Sequence, residues 1–428
     1  MMESVKRIKS LLDADGGVSD YRINTTKTES RELFFVHKDL ETVRSTDTTD
    51  IKVTVFVAHD GKLGDATFSV YASYTDEKIK SEIEAAKKKA SLIDNQSYEL
   101  PANEEATFES DSNFKEFELP VLASDIADAV FAADKYEGGS INALEIFIYK
   151  DTVNVVNSRG IDKTETKYRA MVEAIPTWNG GEESVELYEC YNFTEFSYDE
   201  IFAEIDGKMR EVRDRLIAKK PEEKLSCRVV LAAPEVATLV EELAFELNYG
   251  KIYNHSNAFS VGDEIQKAPT GDKLTVTMCG KMKGSVKSAA FDGEGVTLVD
   301  TKVIEDGRAV GSFGSVRYAS YLGKDITGDL RCISAEKGTL TEEELRSAPY
   351  FKCVSMSGLQ LDIYSDYIGG EVRLAYYFDG EKEIPVTGIS ISGKLSECLS
   401  EMRLSAEETV HESYSGPKYA CFTKVEIV

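Results

Sequence analysis

Apolar and polar positions along the 428 residues follow two different periods, and the switches between them divide the chain into elements. Residues 4–13 carry apolar side chains at helical spacing and predict a short amphipathic helix. From 19 to 72 the two classes alternate with β-branched enrichment, as in Ile51-Lys52-Val53-Thr54-Val55-Phe56-Val57, which predicts half-buried strands. Asp60-Gly61 marks a turn, and 76–94 reads as a charged helix. The stretch 95–120, polar and interrupted by Pro101 and Pro120, reads as a linker-like excursion. The succession then recurs, with a helix near 122–134, strands within 142–192 and a long charged helix over 198–219. Segments 32–45 and 145–158 share Glu, Phe, Val and Ser at a constant offset, which suggests an internal duplication.

Lys219-Lys220-Pro221-Glu222-Glu223-Lys224 is the best domain break, because it is charged, proline-broken and set between a helix and a strand. Beyond it the pattern predicts a strand at Val229–Leu231, a helix after Pro234, and mostly antiparallel strands with short helices around 316–322 and 341–346. Asp379-Gly380 suits a hairpin turn between Val372–Phe378 and Glu383–Ile391. The expected fold is α+β and β-rich in two domains. Residues 1–222 form an amino-terminal α+β domain, and residues 223–428 a carboxy-terminal, mainly antiparallel β domain.

The helix after Pro234 is the most distinctive local pattern. Pro234 suits a first helical position, and Glu235 complements the positive end of the helix dipole. Val236, Leu239, Val240, Leu243 and Leu247 recur at three- and four-residue steps and form one buried stripe, with Gly250 as the expected stop. Glu241, Glu242 and Glu246 then read as a solvated carboxylate face, with a hard cation such as magnesium or calcium as the alternative use.

Composition narrows the classes of function. An apolar content of 42% supplies ample core for a protein of this length. A net charge of −26 argues against nucleic-acid binding, which needs clustered Lys and Arg. No uncharged apolar run approaches the roughly 20 residues of a membrane helix. The start MMESVKRIKSLLDADGG is an amphipathic helix and not a signal peptide. Seven cysteines, an odd number without close pairing, point to a reducing cytoplasm. Other chemistry is sparse. His37, His59 and His255 have no partner at ligand spacing, and His411 precedes Glu412. Cys353 and Cys398 fall in a strand and a short helix as buried thiols. Gly280-Lys281-Met282-Lys283-Gly284 lacks the Walker spacing, so Lys281, Lys283 and Lys287 read as a solvated turn.

Residues 225–428 resemble the TldD and PmbA (TldE) family of zinc peptidases and their inactivated relatives, the "modulator of DNA gyrase" family. The chain shows Asn257-Ala258-Phe259-Ser260, then the acidic turn Phe291-Asp292-Gly293-Glu294-Gly295-Val296. Val303-Ile304-Glu305-Asp306-Gly307, Arg317-Tyr318-Ala319, Leu322-Gly323 and Thr327-Gly328 follow in the family's order. Gly338–Leu345, Gly369-Gly370, Tyr377–Gly380, Ile384–Val386 and Ile391–Leu395 complete the series. The amino-terminal half matches chiefly through Val155–Gly160.

What the resemblance implies rests equally on what is missing. Active members carry a His-Glu-x-x-x-His helix where this chain has Glu241-Glu242-Leu243-Ala244-Phe245-Glu246. The glycine before the second histidine, which lets the helix distort so that both imidazoles converge, is Phe245 here. The third ligand, a cysteine in a late Cys-Gly pair, falls at Ser415-Gly416, and a hydroxyl is a poor zinc ligand. The expectation is a PmbA/TldE-like subunit with no cofactor of its own, paired with a TldD-like chain that holds the zinc. The assembly would degrade or mature small unfolded peptides, the non-catalytic chain helping to hold extended substrate by strand addition. Homo-oligomerisation is a further expectation. The alternatives are an autonomous metal-dependent hydrolase using Glu242 with carboxylate ligands, and a stand-alone peptide-binding protein.

Overall fold

The computed structural model describes residues 2–181 and 183–428. Long alternating segments build the first sheet from β1 (Asp20–Val36), β2 (Asp39–His59), β3 (Lys62–Val70), β4 (Glu104–Glu109), β5 (Gly139–Asn157), β6 (Ile161–Asn179), β7 (Ser184–Glu186) and β8 (Glu189–Phe193). Their order is β3-β2-β1-β5-β6-β4, and β7 and β8 also pair with β6. All of these pairs are antiparallel except β4 with β6. The stretch expected to be a linker therefore contributes a strand: Glu104–Glu109 hydrogen-bonds along Ile161–Thr166, partners too distant in sequence for a local pattern to reveal.

Four helices, α1 (Met2–Asp13), α2 (Asp76–Ala90), α3 (Leu119–Ala132) and α4 (Tyr198–Ile217), cover one face of this sheet. Thr75 and Ser197 cap α2 and α4 by accepting from the amides of Lys78 and Glu200. Ile8, Leu12, Ile79 and Ile83 pack on Ile23, Val53 and Val55. Leu122, Ile126, Ile205 and Met209 pack on Leu33, Ile146 and Val172. Ile23 and Leu33 are both odd positions of β1, so strand alternation puts all four helices on the same side. The opposite side carries Arg22, Asn24, Ser30 and Glu32. The unit α1-β1-β2-β3-α2 is followed by α3-β5-β6-β8-α4, with β1 and β5 as antiparallel neighbours at the centre. Segments 32–45 and 145–158 do not occupy equivalent places, however. The first crosses the β1–β2 turn, while the second runs along β5 and into the turn after it.

The remaining chain forms a nine-stranded and a six-stranded sheet, starting with β9 (Arg228–Ala232) in the larger one. They are mainly antiparallel, with parallel pairs between β9 and Tyr350–Met356 and between Cys332–Ala335 and Tyr414–Pro417. Helix α5 (Ala233–Phe245) is clasped between the sheets. Its Val236, Leu239, Val240 and Leu243 share one core with Val229 and Leu231 on one side and Val276, Met278 and Ile333 on the other. The helix ends before the expected stop. Gly250 instead lies in a second short helix, α6 (Tyr249–Tyr253), where its amide donates to Asn248 Oδ1 at 2.9 Å. Leu247 is buried as the stripe requires, just past the end of α5.

Candidate functional site

Burial of α5 decides what its carboxylates can do. Glu242 is exposed and Glu241 partly so, whereas Glu246, the C-cap residue, is only 4% exposed. Glu246 is therefore not part of a solvated face. Its Oε1 accepts from Lys251 Nζ at 2.7 Å, and its Oε2 accepts the Ala258 amide at 2.5 Å. One carboxylate thus fastens α6 and the Asn257–Ser260 segment to the end of α5. That segment is pinned further by Asn257 Nδ2 donating to the Phe259 carbonyl at 2.7 Å and by Ser260 N donating to Asp263 Oδ2 at 2.8 Å.

Phe245, where the sequence resemblance leads us to expect the hinge position, meets Phe313 edge-on with ring centroids 5.6 Å apart. The position is filled by packing. Ser415 lies partly buried in the Tyr414–Pro417 strand, between Ser334 on one side and Val410 on the other. Helix α5 packs against this strand and its neighbours, so the structure brings together the elements that would carry three ligands. The residues present do not fit a zinc ion. Where the two imidazoles were expected stand Glu241 and Glu246, the latter with both oxygens already engaged. The thiolate is replaced by a hydroxyl. Among the described residues no group of three His, Cys, Asp or Glu side chains is gathered as a ligand set.

Other titratable groups cluster nearby that the sequence pattern did not single out together. Glu235, in the first turn of α5, is buried with Oε2 unpartnered, and burial lifts its pKa to about 7. It neighbours Cys353, whose thiol burial pushes far above its ordinary value. Lys208 of α4 sits 3.2 Å from Glu189 and 3.1 Å from Glu211. Burial pulls this ammonium down, but Glu211 and Glu189 outweigh it and hold the pKa up. His411 is shifted down by burial, against the pull of Glu412 and Glu204. Asn192 Nδ2 ties β8 to this turn by donating to Glu412 Oε1 at 2.9 Å. These side chains come from separate strands and helices, so no spacing in the sequence announces them. His37 occupies the β1–β2 turn, His59 ends β2, His255 follows α6, and Cys398 is buried in the Leu395–Glu401 helix.

Mixed α and β structure in this order, with α5 clasped between two sheets, is the arrangement that the comparisons with known proteins match. Residues 224–427 match the model of the PmbA/TldA metallopeptidase C-terminal domain. The whole fold is similar to that of TldE from Thermococcus kodakarensis, at 16% identity and a TM-score of 0.80 over 100% of this chain and 99% of that one. It is also similar to a candidate modulator of a DNA gyrase from Thermotoga maritima, at 15% identity and a TM-score of 0.77 over 100% of both chains. A candidate modulator of DNA gyrase from Bacteroides thetaiotaomicron gives 14% identity and a TM-score of 0.78, over 100% of this chain and 99% of that one. At these identities the structural likeness is one of fold. No curated protein matches by sequence. Residues 224–427 are therefore a domain of the PmbA/TldA metallopeptidase C-terminal type, set in a chain whose whole fold is like that of TldE. Among the described residues, no helix is long and apolar enough to cross a membrane.

Proposed function

We propose that this chain is a non-catalytic, PmbA/TldE-like subunit that pairs with a zinc-bearing TldD-like chain in a cytoplasmic assembly degrading or maturing small unfolded peptides. The observation that carries this reading is Glu246. At the second ligand position the side chain is built into the protein's own architecture, holding Lys251 and the Ala258 amide. Phe245 against Phe313 supports the same view, because the packed ring leaves no freedom for the helix to turn two ligands inward. Hydrolysis then belongs to the partner, and this chain's share is to shape and close the space in which an extended peptide is held. All seven cysteines are free thiols, which supports a reducing compartment.

The test is to purify the chain alone and together with a homologue carrying the intact His-Glu-x-x-x-His motif. The expected result is no stoichiometric zinc and no peptidase activity in the isolated chain, with co-elution and cleavage of an unstructured peptide in the mixture. Stoichiometric zinc beside Glu242, or activity of the isolated chain, would overturn the reading in favour of an autonomous hydrolase. Peptide binding with no association to the homologue would favour a stand-alone binding protein.

A further inference from the structure

We propose that the cavity under the Lys281–Ser288 loop binds a small phosphate-type oxyanion, either free phosphate or a phosphate monoester. The cavity is about 270 Å³ and lies where the loop passes over β6 and the residues following β4. None of its lining residues belongs to α5 or to the Tyr414–Pro417 strand, so the inference stands apart from the function proposed above.

Three observations carry it. First, cations converge here without being consumed. Lys167 is partly buried on β6, yet its Nζ makes one hydrogen bond, 2.8 Å to the Ser288 carbonyl, and meets no carboxylate at ion-pair distance among the described residues. Lys281 rests over the Phe108 ring and likewise has no carboxylate partner among the described residues. Second, donors are left over. The amides of Lys283, Gly284 and Val286 donate to no acceptor among the described residues, and Gly284 takes a φ of +82°, in the left-handed region. Successive free amides around a left-handed residue make a concavity suited to an anion. Third, Ser110 is among the lining residues, and its Oγ has no hydrogen-bond partner.

Carboxylates are also present, and their commitments matter. Both oxygens of Glu165 accept from the Ala290 amide, at 3.1 and 3.2 Å. Glu109 accepts from the Tyr168 hydroxyl at 3.3 Å, and Asp111 is exposed. Burial raises the pKa of Glu165 and lowers that of Lys167 beside it. A chain of net charge −26 repels anions at long range, so saturable anion binding has to come from a local constellation of donors such as this one. The size admits a phosphate group and its immediate substituent, and is small for a peptide.

The experiment is calorimetric titration of the full-length protein with inorganic phosphate, with glycerol phosphate and with acetate, at constant ionic strength set by chloride. Saturable binding of either phosphate compound is expected, with a Kd at or below about 1 mM. Lys167→Met should weaken it at least about tenfold, as loss of a charge-assisted hydrogen bond does. Lys281→Met, at an exposed position, should weaken it severalfold, so the test survives if Lys167→Met fails to fold. Preference between the two phosphate compounds identifies the source of the ligand. No saturable binding of either, equal binding of acetate, or unchanged affinity in a folded Lys281→Met variant would overturn the proposal.

Discussion

Lys251 Nζ lies 2.7 Å from Glu246 Oε1, so the buried carboxylate at the end of α5 holds an ammonium of its own chain. The pair is asymmetric. The Lys251 side chain is 37% exposed and the Glu246 side chain 5%, so the carboxylate is the member that cannot be rehydrated in place. Removing it also strips the Ala258 amide of its acceptor.

Glu246→Ala is therefore expected to destabilise the fold by about 2 kcal/mol, most of it from the lost charge-assisted hydrogen bonds. Urea unfolding of the two proteins measures this. A loss below about 0.5 kcal/mol, the range of ordinary surface substitutions, would show that the carboxylate is not a fastening. Glu246→His should lose comparable stability and gain no zinc.

Phe245→Gly, which restores the hinge residue of active relatives, removes the ring packed on Phe313 and places glycine in the last turn of a buried helix. Phe245 is only partly buried, so the expected cost is about 3 kcal/mol, at the lower end for a deleted core aromatic. Calorimetric melting checks it. An unchanged melting temperature would mean that this end of α5 is already loose.

Helix α5 shows how far the sequence was readable. The stripe from Val236 to Leu243 is buried as its spacing requires, because a helix records its packing in its own period. The charged helices α2 and α4 and the Asp379-Gly380 turn were legible for the same local reason. The role of Glu246 was not, since its partners come from residues 251 and 258, beyond the helix. Nor was β4 legible, whose partner strand begins 57 residues further on, at Ile161 paired with Glu104. Gly250 misled because a glycine that ends one helix is indistinguishable in sequence from one tolerated in the next.

Asp292, in the acidic turn, is buried and accepts from three amides. Oδ1 takes Glu294 N at 2.8 Å and Val296 N at 3.0 Å, and Oδ2 takes Asp329 N at 3.1 Å. Asp292→Asn turns an amide group toward one of these donors and should cost about 2 kcal/mol, while Asp292→Ala should cost more. Denaturant unfolding of both variants tests the order. Equal stability of Asp292→Asn and wild type would show that the turn does not depend on an all-acceptor side chain.

Glu235 gives a pH dependence whose sign is fixed. Burial raises its carboxyl from 4.5 to about 7 in the folded chain. A group that holds its proton more tightly when folded favours folding below pH 4.5 and loses that contribution as pH rises through 7. The difference amounts to about 3 kcal/mol for a shift of this size. Glu235→Gln should therefore stabilise the protein at pH 8 relative to wild type and change it little at pH 4.5. Identical pH profiles for the two proteins would count against burial of an ionisable group at this position.

The polar side of the first sheet has a mechanical consequence. Lys163 is fully buried there, 2.7 Å from Glu104 and 2.6 Å from Thr297, while Arg22 reaches Glu294 at 3.1 Å and Asn24 donates to the Gly293 carbonyl at 2.8 Å. A greasy seam tolerates sliding, because one methyl group is much like the next. A seam keyed by directional contacts does not, since displacement by one residue would part the half-buried Arg22 guanidinium from the Glu294 carboxylate. The first sheet and the turn at residues 291–297 accordingly behave as one casting. Flexing along this line would break the Arg22–Glu294 and Asn24–Gly293 contacts at once.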